Sequence, residues 1–394
     1  MRATFILLLT SLTSAFPQQN WRRIQPDTGS AAYFLENDPA GNNIVSLEIA
    51  SDGSLSNPTR IPTGGYGSSQ VNASGFPNAA DTLGSQGSVT VVDDWIFAVN
   101  AGSNTVSMFS IAPEDPRHPQ LVGKPVGTLG QFPISVDYSP RVQKACVLNG
   151  GAVAGVACFS VDPVRGLRAD GSLHAIPKTI IMETTPPSGP PGSAAQVLFA
   201  PDSSAIFATV KGNAGASPVK LGSLLAWPLN GGQISNSEPV VTQLPGITMD
   251  FGFTFIDNKI IFLADPSFGI SLLSVKQDLT VTETRHTVIP GQSAICWTAY
   301  SPATNLLYAI DAGLNKTGSL VGSIAVSDVD GMIDAQGVFD SAVSDGLMYS
   351  LTAANGVSVI NLQKQQQVQF LDLSHFGVRK YYMGMAVWPS STQA

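Results

Sequence analysis

The sequence predicts an all-β fold, a seven-bladed β-propeller of four-stranded antiparallel blades, closed by the C-terminal strand pairing into blade one. Three observations predict it. A hairpin-like stretch recurs through the chain. A short apolar strand, often ended by proline, precedes most copies. The composition is poor in charge, at 12%, and rich in turn formers, with 38 Gly and 27 Pro among 394 residues, which does not suit amphipathic helices.

The clearest copy spans residues 95–111. Trp95, Ile96, Phe97, Ala98 and Val99 are aromatic, β-branched or small, the residue types of a buried pleated surface. Residues 100–104 supply a turn, and alternation resumes with Val106 and Met108. Further copies begin at Ala31, Ala145, Ala205, Ile260, Leu306 and Leu347, the one at Ala205 resuming at Gly222 and the one at Leu306 at Gly322. Their anchors are Tyr33, Phe97, Cys146, Phe207, Phe262, Tyr308 and Tyr349, about 53 residues apart, a period typical of propeller blades or solenoid coils.

The preceding strand is clearest at 134–140, 196–201 and 295–302, and weaker at 88–92, 251–255 and 338–343. Its seventh copy, 383–389, has no hairpin after it, and the first hairpin has no such strand close before it. The economical solution is for the tail to pair into the head, leaving no open sheet edge.

The expected organisation is a signal peptide over 1–15, a polar lead-in over 16–30 and the propeller over 31–390. Arg2, the apolar run 5–9 and the small residues 13–15 carry the signal-peptide reading. Arg22–Arg23 is either a processing site or a surface pair. The expected location is extracellular, free or cell-wall associated. Secretion permits disulfides, and Cys146 and Cys158 fall in the two strands of one hairpin, so a bridge is expected there and Cys296 is left as a buried thiol. Asn72 and Asn315 head glycosylation motifs. No metal site or cofactor is expected. The net charge of −8 and the scarcity of basic clusters argue against nucleic acid, and no stretch suggests a membrane span, so the expected partner is a small polar or anionic molecule or an extracellular wall component, bound by a monomer.

Residues 56–86 form a long Gly-, Ser-, Asn- and Pro-rich loop, either lying over one channel mouth or mobile. Counting three residues on from each hairpin anchor gives Glu36, Asn100, Asn149, Val210, Asp265, Asp311 and Thr352, with Lys211 one further. Six of these seven are polar at the end of an apolar strand. They either form a collar at one mouth or open the following turns. Asp265, Asp311 and Lys211 are the candidate catalytic groups, and Glu36, Asn100 and Asn149 the candidate ligand contacts. Asp328, Asp330 and Asp334 resemble turn residues more than a calcium loop. Glu183, Arg141 and Arg285 are weaker candidates.

The stretches 97–107, 133–140 and 196–202, with Val210-Lys211-Gly212, resemble the lactonase-type propellers, which include 6-phosphogluconolactonases and fungal 3-carboxymuconate cyclase-like secreted proteins. The resemblance covers the mature chain and implies lactone opening or closing at one end of a central channel by His, Arg and Glu. Family members often carry histidine where inner strands begin. Phe132-Pro133-Ile134 and Ala194-Ala195-Gln196 stand there instead, and the histidines are His118, His174, His286 and His375. Gln131 and Gln196, beside those starts, join the candidate ligand contacts. The expected function is a secreted propeller binding a small polar ligand or partner at one mouth without the family's catalysis. The alternative is a lactonase or carboxymuconate cyclase-like enzyme.

Overall fold

The computed structural model describes residues 29–78, 81–235, 238–313, 316–319, 322–325 and 337–389. The expected signal peptide, most of the lead-in with Arg22–Arg23, the acceptor Asn315 and the aspartates Asp328, Asp330 and Asp334 lie outside the described residues.

Among the described residues every sheet is antiparallel, and helix is limited to one short turn, Arg379–Tyr381. The hairpin copies supply the middle of each sheet. Trp95–Asn100 pairs with Thr105–Ala112, flanked by Val89–Val92 and Asp115–Leu121. Lys144–Asn149 and Gly155–Asp162 lie between Pro133–Ser139 and Gly166–Ala169. Ala205–Val210 and Ser223–Asn230 follow Ala194–Phe199, and Ile260–Asp265 and Gly269–Val275 lie between Phe253–Phe255 and Val281–Val288. The next sheet runs Ile295–Ser301, Leu306–Asp311, Lys316–Ser319, Gly322–Ala325, and the one after it Val338–Ser344, Leu347–Thr352, Gly356–Asn361, Gln366–Asp372. The remaining sheet joins Leu55–Pro62, Asn43–Ile49 and Ser30–Glu36 to Tyr382–Trp388 from the far end of the chain. The fold is a β-propeller of antiparallel four-stranded blades, some with a short extra strand.

Strand position explains the sequence pattern. Second strands pack on both faces, so Ala205–Val210 is buried throughout and reads as an apolar run with Thr209 its one polar residue. Outer strands have one wet face, as in Leu55–Pro62, where buried and exposed positions mix. One hairpin differs from expectation. Leu306–Asp311 pairs with Lys316–Ser319, and the Gly322–Ala325 stretch expected as its partner lies one strand further out. A short connection after Asp311 closes that hairpin sooner than the apolar pattern suggested.

Tyr33 lies opposite Ala386 and Glu36 opposite Tyr382, so the first and last described strands share a sheet. Phe34 packs on Tyr382 there, with ring centres 4.7 Å apart. Between sheets, Trp297 meets the rings of Phe251 and Phe339 edge-on, each at 5.3 Å. Cys146 and Cys158 face each other across their hairpin and form a disulfide, whereas Cys296 is a buried free thiol.

Candidate functional site

A cavity of about 440 Å³ is lined by the innermost strand of every sheet described above, Tyr382–Trp388 included. Its rim carries the exposed Pro140, Arg141 and Pro201, which follow the C-terminal ends of two innermost strands. Gln86, Asp137, Gln196, Thr298 and Asp340 bring the deeper polar groups. A volume of this size suits a small organic molecule.

Innermost strands of neighbouring blades diverge and do not share a backbone ladder, so side chains bridge them. Asp137 Oδ2 accepts from Phe199 N (2.8 Å), and Gln196 Oε1 accepts from Phe253 N (2.7 Å). The Thr254 and Thr298 hydroxyls meet at 2.8 Å, and Thr90 Oγ1 donates to Val136 O (2.6 Å). Asp340 Oδ2 accepts from Gly384 N (2.8 Å). A buried backbone N–H needs such a partner, which explains polar side chains within otherwise apolar strands.

The same burial changes acidity. Asp137, 3% exposed, is pushed up to about 6 because desolvation outweighs the hydrogen bonds from Phe199 and Tyr138. Asp340 is held well above the ordinary carboxyl value by burial, reinforced by Asp81 and opposed by Arg379. Near neutral pH, therefore, Asp137 is largely ionised, and burial favours the protonated form of Asp340 more strongly than in a free carboxyl.

The loop lies against the opposite ends of the strands. Asn37 donates from Nδ2 to Ser68 O and to Thr82 Oγ1, and Gly102 N donates to Tyr66 O (2.9 Å). Gln70, Thr82 and Leu83 are buried. The loop's end reaches the axis. Gln86 N donates to Ala195 O (3.2 Å), Trp297 Nε1 to Ser85 O (3.0 Å) and Ser135 Oγ to Gln86 O (2.7 Å). Residues 81–87 thereby join several blades at the inner end of the cavity. Of the two readings of this loop, lying over one mouth is the one seen.

The strand-end residues hold their own turns. Asp265 Oδ1 accepts from Ser267 N (2.8 Å) and Ser267 Oγ (2.6 Å), and its Oδ2 from Thr248 N and Met249 N. Asp311 accepts from the backbone N–H groups of Ser293, Ala294 and Gly313. Asn100 bonds Asn42, Thr63, Thr105 and Ser107, and Asn149 bonds Thr128 and Gly155. Glu36 takes a bidentate contact from Arg60, at 2.5 Å from Nε and 2.8 Å from Nη2. Gln131 Oε1 accepts from Thr185 Oγ1 (2.7 Å). Apart from Glu36, whose partner Arg60 lies on the outer strand of its own sheet, each of these clamps a loop leading into or out of a blade, because a polar side chain at a strand end lies within reach of the following turn. Among the candidate catalytic and ligand-contact residues, Gln196 alone lines the cavity.

Lys211 is fully buried and donates to Gly84 O (2.5 Å) and Ala194 O (2.8 Å), its ammonium 4.5 Å from the centre of the Phe251 ring. Burial lowers it to about 8 against the pull of Asp81, which is itself raised to about 6 by burial. Arg379, lowered to about 10, packs over Phe339, and the Cys296 thiol is pushed well up. These groups are absent from the cavity wall, and Lys211 holds the loop from beneath through Gly84. Glu183 Oε2 accepts from Ser188 N (2.8 Å), and Arg285 lies on an outer strand. Asn72 is exposed at a turn, its Oδ1 accepting from Ser74 N and Phe76 N.

Sequence reasoning passed over Asp137 and Asp340. The signal was present, since each is an acid inside a stretch expected as an innermost strand, flanked by Val136 and Tyr138 or by Phe339 and Ser341. A carboxyl inside a buried strand asks for an explanation that a loop carboxyl does not.

Solved structures share the fold. The periplasmic gluconolactonase PpgL of Pseudomonas aeruginosa superposes with a TM-score of 0.58 at 14% identity, covering 87% of this chain and 95% of its own. A candidate 6-phosphogluconolactonase of Bacteroides fragilis gives 0.57 at 13%, covering 91% and 98%. A functionally unknown protein of Desulfotomaculum acetoxidans gives 0.57 at 12%, covering 90% and 98%. No protein-family model matches the chain, and no curated protein matches it in sequence. At these identities the likeness is one of fold, the β-propeller.

Proposed function

We propose that this protein is a lactonase-type enzyme working in the axial cavity, with Asp137 as general base. One observation carries the reading. Asp137 is a carboxyl on the cavity wall, raised to about 6, which suits proton abstraction near neutral pH. The carboxylate takes a proton from water as the water oxygen bonds to the lactone carbonyl carbon and the carbonyl electron pair moves to oxygen. Collapse breaks the ring C–O bond, and the leaving alkoxide takes a proton from the Asp340 carboxyl, whose protonated form burial favours. The hydroxy acid loses its acid proton to solvent and departs as its carboxylate, and the proton held by Asp137 restores Asp340 through water. The fold likeness to a gluconolactonase supports this class of reaction by analogy.

The reading takes the sheets as seven blades, with the sheet holding Tyr382–Trp388 as the closing one. Asp265, Asp311, Asn100 and Asn149 keep loops in place in it, Glu36 ties its strand to the outer strand through Arg60, and Gln196 helps form the lumen. Secretion is supported by the Cys146–Cys158 bridge and the apolar N-terminal stretch. Purified protein is to be assayed against γ-butyrolactone, δ-valerolactone, glucono-δ-lactone and muconolactone. Turnover that falls by about a hundredfold or more in Asp137→Asn is expected from the usual size of general-base catalysis. No turnover on the whole panel overturns the reading.

A second reading is a propeller that binds without catalysis. It is favoured by two details. Asp137 and Asp340 each already hold a backbone N–H, and among the described residues no histidine lines the cavity.

A further inference from the structure

The cavity sorts its chemistry by depth. Carboxyls and amides gather inward, while Val91, Leu198, Phe255, Ala342, Val343 and Val387 contribute apolar surface to the walls. Among the described residues the one cation on the lining is Arg141, exposed at the rim. Asp137 has backbone hydrogen bonds and no cation acting on it. An anionic group carried inward would leave water, meet the Asp137 carboxylate and find no cation on the lining below the rim. A hydrocarbon substituent would instead bury surface against the walls.

We propose that the molecule this cavity takes is an uncharged lactone bearing an alkyl or aryl substituent, its ring ester at the Asp137 end and its substituent along the apolar wall. The proposal rests on the lactonase reading for turnover but not for binding. Each fully buried methylene is worth up to roughly a fourfold gain in affinity, so a chain-length series reads the wall directly.

The experiment compares kcat/KM for δ-hexalactone, δ-octalactone and δ-decalactone with that for 6-phosphoglucono-δ-lactone and glucono-δ-lactone. The expected result is a rise of at least tenfold from the six- to the ten-carbon lactone, with the phosphorylated lactone poorest of all. Ala342→Arg, at a half-buried wall position, is expected to reduce the ten-carbon preference and improve the phosphorylated lactone. A flat series, or preference for the anionic or polyol lactone, overturns the substrate class while leaving the lactonase reading intact. If no lactone is turned over, the lactonase reading falls, and calorimetry with 6-pentylpiperidin-2-one against unsubstituted piperidin-2-one decides this proposal. Tighter binding of the pentyl compound by tenfold or more supports it, and equal or absent binding overturns it.

Discussion

Gln86 and Thr298, 212 residues apart, meet through both halves of one amide, Gln86 Nε2 donating to Thr298 O at 2.9 Å and Gln86 Oε1 accepting from Thr298 N at 3.2 Å. A side chain here does what a paired strand does elsewhere, because Thr298 lies on an innermost strand with no neighbour on its axial side. Gly252 is part of the same arrangement. A Cβ there would lie 2.1 Å from Gln86 Oε1.

The first prediction follows from that pair. Gln86→Ala leaves the Thr298 N–H and C=O without partners in a residue 1% exposed. Two buried backbone groups left unsatisfied cost about 2–4 kcal/mol. Thermal unfolding is expected to shift down by several degrees, and Gln86→Glu, which keeps only the acceptor, to fall between. An unchanged Tm for Gln86→Ala would mean that water replaces the amide and that the loop is not anchored there.

The second prediction concerns Asp137. Its folded value of about 6 lies above that of an unfolded aspartate, so the folded state holds the proton more tightly. Folding is therefore favoured below about pH 4, and this contribution is lost as pH rises through about 6. A rise of this size from the ordinary aspartate value is worth about 3 kcal/mol at most. Asp137→Asn is expected to leave stability little changed at pH 4 and to raise it at pH 8, while turnover is lost. Wild-type kcat/KM is expected to rise through about pH 6 as the base ionises. Denaturant titrations and rate profiles over pH 4–8 check both, and a variant less stable than wild type at pH 8 contradicts the assigned protonation.

These residues separate what the sequence made legible from what it did not. Strand order was readable because each blade must bury the same faces, so Phe97, Phe207 and Phe262 recur at equivalent places. The cavity chemistry was not readable by the same route, because it breaks the repeat. Asp137 and Asp340 serve backbone groups at two blade junctions, whereas Thr254 and Thr298 meet each other at a third. The strand-end collar was read correctly as polar, but polarity alone does not separate a ligand contact from a turn clamp. Only hydrogen-bond partners do that. The loop end at Gln86 belongs to no repeat, and its partners are set by the tertiary fold.

A third prediction concerns the disulfide. Cys146 and Cys158 are separated by 12 residues. Closing a loop of this size stabilises by about 3 kcal/mol when the unfolded chain carries the constraint. The Cys146→Ala, Cys158→Ala double variant is expected to unfold at lower denaturant, with its slope increased because its unfolded chain is more expanded. Equal midpoints with and without reductant in the wild-type protein would remove the disulfide from the account of stability.

The last prediction tests the assignment of Asp265 and Asp311 as clamps. Asp311 holds Ser293 and Ala294 at the entry to its own innermost strand, and Gly313 in the turn beyond. Asp265 does the same for Thr248, Met249 and Ser267. Removing either carboxylate frees backbone donors at a partly buried blade edge, at about 1–3 kcal/mol. Asp311→Ala and Asp265→Ala are each expected to lower Tm by several degrees. Asp311→Asn keeps one acceptor and is expected to recover part of that loss. Any fall in activity should follow the fraction folded and vanish when assayed well below Tm. Loss of kcat at a temperature where the variant is fully folded would give these carboxylates a direct part in the chemistry. It would also move the working site from the cavity to the loop-covered end of the propeller.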